Sequence, residues 1–281
     1  MPELPEVETT VRGLQKEITG HTIHAVWTDL KTKDKRKRDT VAHPPFFDIF
    51  QKEITNKKIL GVERRAKNIL IHLSNKKTIL IHMKMTGRML IKNHDKYVHV
   101  LFTLSSNKKL AFSDPRKFGK ITLLETEKLH ETKHLKDLGP EPLTPEFTLE
   151  TFVNQITKKP NGKIKTVLMD QSIVAGIGNI YSDEALWRAN IHPERLVKNI
   201  NKSEYQKMFQ AVKELLQKGI DFGGDSMSDY INVYGERGNF QSEHKVYQLK
   251  GKPCAKKGCR GVIMRKVVNG RSAHFCNIHQ T

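Results

Sequence analysis

The 281-residue sequence has no long apolar run, few cysteines and a shortage of acidic residues. Its longest apolar run, around residues 69–73, is far too short to cross a bilayer. The first dozen residues are acidic and interrupted by proline, unlike a secretory signal. We therefore expect a soluble, cytoplasmic protein with no membrane partner. In that setting the three cysteines, all beyond residue 250, suggest a metal site more than a disulfide framework.

The shortage of acid leaves 49 Lys and Arg against 30 Asp and Glu, for a net charge of +19. On charge alone, such an excess indicates a polyanionic partner, for which nucleic acid is the leading candidate and an anionic membrane the second. Composition alone also leaves open a basic protein that binds no DNA.

The pattern of apolar residues divides the chain into a β-rich part and a helical part. A helix is predicted over residues 5–18, and residues 22–130 are predicted to be mainly short strands. The basic, proline-flanked residues 31–45 are predicted to be a loop. A Pro- and Gly-rich segment follows at 138–145.

Beyond that segment the periodicity becomes helical. Helices are predicted over four ranges, namely residues 148–157, 164–170, 181–189 and 203–218. Residues 221–240 are rich in Gly, Ser, Asn and Asp, which predicts a long and therefore functional loop.

The last 35 residues have the spacing of a zinc finger. Cys254-x4-Cys259 and Cys276-x2-His279 form two ligand pairs separated by sixteen residues, suited to one structural, tetrahedral zinc. His274 is an alternative fourth ligand. Two β-prone runs meet at Asn269-Gly270, a strong hairpin signal, which places Arg271 directly beyond the turn.

Several motifs, in order along essentially the whole chain, resemble the formamidopyrimidine-DNA glycosylase family. The opening Pro2-Glu3-Leu4-Pro5-Glu6 is similar to the branch that acts on purine lesions, whereas the related endonuclease VIII branch typically opens Pro-Glu-Gly-Pro-Glu. The other motifs are Arg64-Arg-Ala-Lys67, His82-Met-Lys-Met85, Asp114-Pro-Arg116-Lys-Phe118-Gly, Gly176-Ile-Gly178-Asn179 and Gly270-Arg271.

The resemblance implies an α+β fold of three parts. A β-sandwich domain with a leading helix would span 1–135, and a linker 136–145. A helix–two-turn–helix DNA-binding domain with a lesion-capping loop would span 146–246, and a zinc-bound β-hairpin 247–281.

A secondary amine at Pro2, exposed by removal of Met1, suits covalent chemistry on a sugar. Its attack on C1′ forms an iminium that stays cationic without protonation, and an α-amino group titrates near neutral pH, at about 7.7–8.0. Glu3 and Glu6 also suit the first turn of a helix, whose dipole favours acids. The resemblance implies that Glu3 is the general acid and base, that Glu6 positions the terminus, and that Lys67 reaches the lesion.

The resemblance also implies a set of DNA contacts. A base-excision enzyme extrudes the damaged nucleotide and fills the gap, a role implied for Met85, Arg116 and Phe118. Periodicity alone would instead place Met85 on the buried face of its strand. The remaining implied contacts are His82, Lys165 and Asn179 to DNA, and Arg271 to the phosphates flanking the lesion.

The family's usual tail has two Cys-x2-Cys pairs, so the wider first pair and His279 are departures, ones that zinc accepts. The chain is thus predicted to be a monomeric, nucleoid-associated glycosylase and AP lyase. It would remove oxidised purines from damaged double-stranded DNA through a Pro2 Schiff base and β,δ-elimination. The alternatives are a glycosylase for oxidised pyrimidines and a non-catalytic binder of damaged DNA.

Overall fold

The computed structural model describes residues 1–91 and 95–281, which form two compact units. The N-terminal unit comprises Met1–Lys136 with Phe222–Asn239, and the C-terminal unit comprises Asp137–Asp221 with Phe240–Thr281. The first division lies beside the predicted boundary at 135. The segment Phe222–Asn239, which falls within the range 146–246 expected for the DNA-binding domain, groups with the N-terminal unit.

The N-terminal unit begins with helix α1 (Leu4–Ile18) and contains two antiparallel four-stranded sheets. The first sheet has the order β1 (Ile23–Thr28), β6 (Val98–Leu104), β7 (Lys109–Ser113), β5 (Arg88–Leu90). The second has the order β2 (Ile59–Arg65), β3 (Asn68–Leu73), β4 (Lys77–His82), β8 (Lys120–Glu125).

The core of this unit explains why the sheets form a sandwich. Phe102 of the first sheet and Ile81 of the second belong to one buried cluster, to which α1 adds the apolar face predicted for it. Val7 and Leu14 on that face are fully buried. The predicted α+β sandwich with a leading helix is confirmed.

Two features of the unit depart from the sequence prediction. Helix α2 (Pro44–Ile54) lies within the region predicted to be strands, with Phe50 and Ile54 buried. The Pro44-Pro45 pair could have indicated the start of this helix, since proline is favoured in the first turn of a helix. In addition, β4 ends at His82, so Met85 lies beyond the strand and off its buried face.

The segment Phe222–Asn239 has neither helix nor strand, as predicted for a long loop. It is nevertheless held firmly in the N-terminal unit. Val233 is 1 % exposed in the core, and its carbonyl accepts a hydrogen bond from the Ile91 N–H at 3.0 Å. The local composition predicted the loop, but the contacts that fix its domain come from distant residues.

The C-terminal unit consists of helices and one hairpin. The helices are α3 (Leu149–Ile156), α4 (Ile164–Leu168), α5 (Asn179–Ala189) and α6 (Lys202–Asp221). Strands β9 (Ile263–Val268) and β10 (Arg271–Cys276) pair antiparallel, with Val268 opposite Arg271. All four helices and the hairpin lie where the sequence predicted them. None of the helices in residues 1–91 and 95–281 is long and apolar enough to cross a membrane.

Candidate functional site

The start of α1 buries two carboxylates beside Pro2. Pro2 is buried, and Glu3 and Glu6 are each 2 % exposed. They form a reciprocal capping box, in which the Glu3 side chain accepts from the backbone of Glu6 and Glu6 Oε2 accepts from the Glu3 N–H at 2.7 Å. Met1 is 42 % exposed. Two buried carboxylates therefore lie next to Pro2, at the N-terminal end of the chain.

Glu6 also holds the long loop of the same unit. Its Oε1 accepts from the Asp225 N–H at 2.8 Å. Nearby, the Tyr230 hydroxyl lies 3.5 Å from Thr10 Oγ1, and burial raises the pKa of Tyr230, with a smaller contribution from Glu6. One carboxylate thus contacts both the backbone next to Pro2 and the segment Phe222–Asn239.

Lys67 lies in the two-residue turn that joins β2 to β3. Ala66 has φ 53°, and the turn is braced by Arg64 Nη1, which donates to the Ala66 carbonyl at 3.1 Å. Although it is a lysine in a turn, Lys67 is only 6 % exposed. The turn therefore directs this cation into the protein, where a solvated basic cluster would have left it outside.

His82 pairs with Asn68, the residue that follows Lys67, across β3 and β4. Burial, reinforced by the charges of Lys84 and Lys67, lowers the pKa of His82 to about 3. The ring is therefore neutral at physiological pH. Its Nδ1 accepts from the Lys84 N–H at 3.0 Å, which puts the ring proton on Nε2.

Met85, Arg116 and Phe118 form an exposed group in two turns, which we call the wedge. Met85 is 43 % exposed and Phe118 is 47 % exposed, high values for apolar side chains of this size. The Arg116 guanidinium lies over the Phe118 ring, with Cζ 4.6 Å from the ring centroid. The alternative that Met85 lies on the buried face of its strand does not hold in this structure.

Asp114 organises both turns of the wedge, a role the sequence analysis missed. This fully buried carboxylate accepts from the Arg116 N–H at 3.2 Å and from the Gly119 N–H at 2.7 Å. It also accepts from the hydroxyl of Thr86, next to Met85, at 2.5 Å. The Asp-Pro pair was a turn signal that could have identified it.

Lys165, in the C-terminal unit, has a different environment from the one its predicted phosphate contact requires. Its side chain is 0 % exposed and its ammonium pairs with Asp183, which is also 0 % exposed. Asp183 Oδ2 accepts in addition from the backbone N–H of His274, at 3.0 Å, and lies 2.9 Å from its Nδ1. A direct phosphate contact would therefore require Lys165 to leave this buried pair.

Asn179 is the first residue of α5 and follows a glycine turn. Gly176 has φ 88°, and Gln171 holds the turn by accepting from the Gly176 N–H at 2.9 Å and donating to the Ile177 carbonyl at 2.8 Å. A helix start of this kind presents backbone N–H groups and a positive dipole end, which suit an anion.

Cys254, Cys259, Cys276 and His279 come together as one cluster, with all four ligand atoms within 4.8 Å of one another. Cys259 Sγ lies 3.6 Å from Cys276 Sγ, and His279 Nδ1 lies 3.4 Å from Cys254 Sγ. Tetrahedral ligands about 2.3 Å from a metal are separated by distances of this size. The His279 Nε2 lies 3.3 Å from the Trp187 carbonyl, the kind of contact that orients a ligating imidazole.

This cluster also distinguishes the two candidate histidines. His274 is on β10 next to Asp183 and is outside the cluster, whereas His279 is within it. The four residues could hold a metal ion.

Arg271 is exposed at the start of β10, immediately after the hairpin turn. Asn269 and Gly270 have φ 46° and 76°, the two positive values that an Asn-Gly hairpin turn requires. The structure thus places Arg271 where the sequence predicted it.

Comparison with known proteins agrees with these features. Residues 1–121 match the model of the formamidopyrimidine-DNA glycosylase N-terminal domain, and residues 138–230 match that of the formamidopyrimidine-DNA glycosylase H2TH domain. A formamidopyrimidine-DNA glycosylase of Pelotomaculum thermopropionicum is 41% identical over 280 residues, covering 98% of both chains. One from Herpetosiphon aurantiacus is 39% identical and covers 100% of both.

Solved structures are similar over the same length. The Lactococcus lactis Fpg in complex with DNA containing an abasic site has a TM-score of 0.87 at 34% identity, covering 99% of both chains. The MutM (Fpg) protein of Thermus thermophilus has a TM-score of 0.85 at 33% identity, covering 99% of this chain and 98% of that one. The chain belongs to the formamidopyrimidine-DNA glycosylase family.

Proposed function

We propose that the protein is a bifunctional DNA glycosylase and AP lyase of base excision repair. It removes oxidised purines, such as 8-oxoguanine and formamidopyrimidines, from double-stranded DNA and acts as a monomer. Family membership supports the glycosylase activity, and the geometry around Pro2 supports the covalent mechanism.

The observation that carries the proposal is the burial of Glu3 and Glu6 at the start of α1. Carboxylates that only complement a helix dipole are most often exposed, since burying a charge is costly unless it is paired and hydrogen-bonded. Here both are enclosed with Pro2, where they can offset a cation that develops at the proline nitrogen.

The proposed reaction begins when the unprotonated Pro2 nitrogen attacks C1′ of the damaged nucleotide. The bond from C1′ to the base breaks, the base leaves with the bonding electrons, and the nitrogen gives up its proton. The C1′–O4′ bond then breaks, its electron pair goes to O4′, and the nitrogen and C1′ form an iminium. Glu3 transfers the protons that opening the deoxyribose requires, and Lys67 supplies a cation near the reacting sugar. The iminium accepts the electrons of a C2′–H bond when that proton is removed, and the resulting enamine expels the 3′ phosphate in β-elimination. Removal of the C4′ proton then allows the 5′ phosphate to leave in δ-elimination.

The wedge, His82, Asn179 and Arg271 bind the DNA in this proposal. The wedge fills the gap left by the extruded nucleotide, and Arg116 hydrogen-bonds the orphaned partner base. The Nε2 proton of the neutral His82 is suited to a phosphate oxygen. Asn179 contacts the backbone of the DNA, and Arg271 grips the phosphates flanking the lesion.

We propose zinc as the ion of the Cys254, Cys259, Cys276 and His279 cluster. Three thiolates and one imidazole at these separations fit a tetrahedral structural zinc, and such a closed set leaves no position for catalysis. The ion would make the base of the hairpin rigid, and Arg271 lies at the other end of that hairpin, directly after its turn.

Borohydride trapping tests the mechanism. Protein whose mass shows that Met1 has been removed is incubated with an 8-oxoguanine duplex and borohydride, which should reduce the iminium to a stable adduct on Pro2. Pro2→Leu should retain Met1, because the processing of Met1 needs a small second residue, and should form no adduct. Pro5→Ala is the matched control and should still react. Absence of an adduct with the processed protein, or an adduct on a lysine, contradicts the proposal.

A second measurement tests the substrate class. Duplexes containing 8-oxoguanine or thymine glycol are compared under single-turnover conditions, and the 8-oxoguanine duplex should be cleaved faster. Faster cleavage of thymine glycol would leave the mechanism intact but overturn the purine preference.

A further inference from the structure

Residues 31–38, which we call the basic loop, carry six basic side chains and one acidic side chain in eight positions. None of them belongs to the proposed catalytic or DNA-binding residues. Five of the six basic side chains are exposed, namely Lys31, Lys33, Lys35, Arg36 and Arg38.

The basic loop is held in shape at its centre and at both ends. Asp34 caps a short 3-10 helix, Lys35–Lys37, by accepting from the Arg36 N–H at 2.9 Å. At the entrance, Thr32 N–H donates to the Ala42 carbonyl at 2.8 Å. Beyond the exit, Val41 N–H donates to the Ile121 carbonyl of β8 at 3.0 Å. The backbone of the basic loop is therefore fixed, so binding an anion would order the side chains but would require little ordering of the backbone.

The basic loop touches the turn that carries two members of the wedge. Lys37 Nζ donates to the backbone carbonyl of Lys117, between Arg116 and Phe118, at 3.4 Å. The charged surface is therefore continuous with the wedge within the N-terminal unit.

The positive charge of the loop is largely uncompensated. Asp34 pairs with Arg36 at 2.9 Å, and the next acid, Asp39, pairs with Lys133 at 2.7 Å. Throughout residues 1–91 and 95–281, no ion pair engages Lys31, Lys33, Lys35 or Arg38. Cations held together in this way repel one another, and a polyanion relieves that repulsion.

We propose that the basic loop is an accessory contact for the phosphate backbone of duplex DNA, on the flank next to the wedge. The inference rests on the proposed function, which supplies DNA at the wedge, and the contact of Lys37 with Lys117 extends that surface outward. The loop adds affinity and salt dependence and takes no part in the chemistry at the lesion.

Salt dependence of binding tests this inference directly. The affinity of Lys33→Gln/Lys35→Gln/Arg38→Gln is measured from 50 to 200 mM KCl on a duplex with a stable tetrahydrofuran abasic analogue. The slope of log K against log salt should become shallower by about one for each phosphate that the variant no longer neutralises. The matched control, Lys52→Gln/Lys202→Gln/Lys207→Gln, removes the same charge from exposed positions elsewhere and should leave the slope nearly unchanged.

Duplex length then locates the contact. Two further duplexes are each shortened to a few base pairs on one side of the lesion. The difference in slope between wild type and the loop variant should vanish on one of them and persist on the other.

The outcomes separate this inference from the proposed function. Equal slope changes in the loop variant and the control, or a difference that persists on both shortened duplexes, overturns the accessory contact. The single-turnover cleavage rate at saturating protein should be unchanged in the loop variant, and a reduced rate would place the loop in the catalytic machinery instead. Borohydride trapping of wild-type protein remains the separate test of the enzyme.

Discussion

Arg116 and Arg271 are both presented by tight turns, but the two turns are supported in different ways. The turn of Arg116 depends on one buried carboxylate, Asp114, whose hydrogen bonds reach residues two and five positions along the chain. The hairpin of Arg271 is supported by Asp183, which lies 91 residues before His274, and has at its base the four-residue cluster that could hold a metal ion.

This contrast has an energetic consequence. A turn held by neutral donors on one carboxylate loses a few hydrogen bonds when that group is removed. A hairpin held by a metal ion and a buried ion pair is destabilised much more when either is broken, because uncompensated charge remains inside the protein.

The largest effect is expected from loss of the metal at the Arg271 hairpin. In isolated zinc fingers, metal binding supplies about 10–16 kcal/mol of folding free energy. Cys276→Ser, or treatment with a strong chelator, should therefore melt the hairpin and lower lesion cleavage by at least about 100-fold. Metal content and cleavage are measured together. Recovery on addition of zinc is the control for the chelated protein, and full activity without metal contradicts the prediction.

The next largest effect is expected from Asp183→Asn, which leaves the buried Lys165 without its counter-charge. Removing one partner of a buried pair costs about 3–5 kcal/mol of the free energy of unfolding. The free energy of unfolding is measured by urea denaturation, which is monitored by the fluorescence of Trp187 in a Trp27→Phe background. The double variant Lys165→Met/Asp183→Asn should regain most of the stability, since the asparagine can still accept from His274. If it does not, the ion pair is not the source of the effect.

A smaller effect is expected from Asp114→Asn, which replaces an acceptor of the wedge turns with an amide. The loss of one or two hydrogen bonds costs about 1–3 kcal/mol, enough to slow a step that depends on the wedge by about tenfold or more. Cleavage of a base-paired 8-oxoguanine should slow more than cleavage at an abasic site, where no base is extruded. Thr86→Ser should behave as wild type. Equal slowing on both substrates would instead indicate a general folding defect.

At neutral pH the smallest effect is expected from His82, because its contribution changes only on acidification. Because burial lowers the pKa of His82 to about 3, the unfolded chain binds a proton more readily than the folded protein between that value and about 6.5. Its contribution to stability is therefore complete above about pH 6.5 and is lost progressively as pH falls toward 3, by at most about 1.4 kcal/mol per pH unit. His82→Gln should flatten the pH dependence of the free energy of unfolding over this range. The exposed His24→Gln is the control, and identical curves for the two variants contradict the assignment.

The sequence predicted those parts of the molecule that depend on local patterns. The structure confirms the helix face of Val7 and Leu14 and the Asn269-Gly270 turn, and it brings the cysteines and His279 together. These features were predictable because each shows as a short-range pattern in the chain. The exposure of Met85 was not predictable from its alternation with Met83, since the strand ends at His82 and the period ends with it.

What the sequence could not supply is the partner of each buried charge. Lys165 matched a basic DNA-contact motif, yet its partner Asp183 lies in a different helix and has no pattern that distinguishes it from a solvated acid. Glu184 is a similar case, because it accepts backbone N–H groups from Val246 at 3.0 Å and Tyr247 at 2.8 Å. Such contacts depend on how helices and loops pack, which no short-range period encodes.

The shared hydrogen bonds of Glu6 bear on how the protein can be re-engineered. The N–H of Glu3 and that of Asp225 donate to opposite oxygens of this one carboxylate, so the backbone next to Pro2 and the segment Phe222–Asn239 have a common attachment. A loop transplanted from a relative would shift the carboxylate and, with it, the terminus. Residues 1–6 and 222–239 should therefore be exchanged together, as a single cassette, in any attempt to alter the choice of substrate.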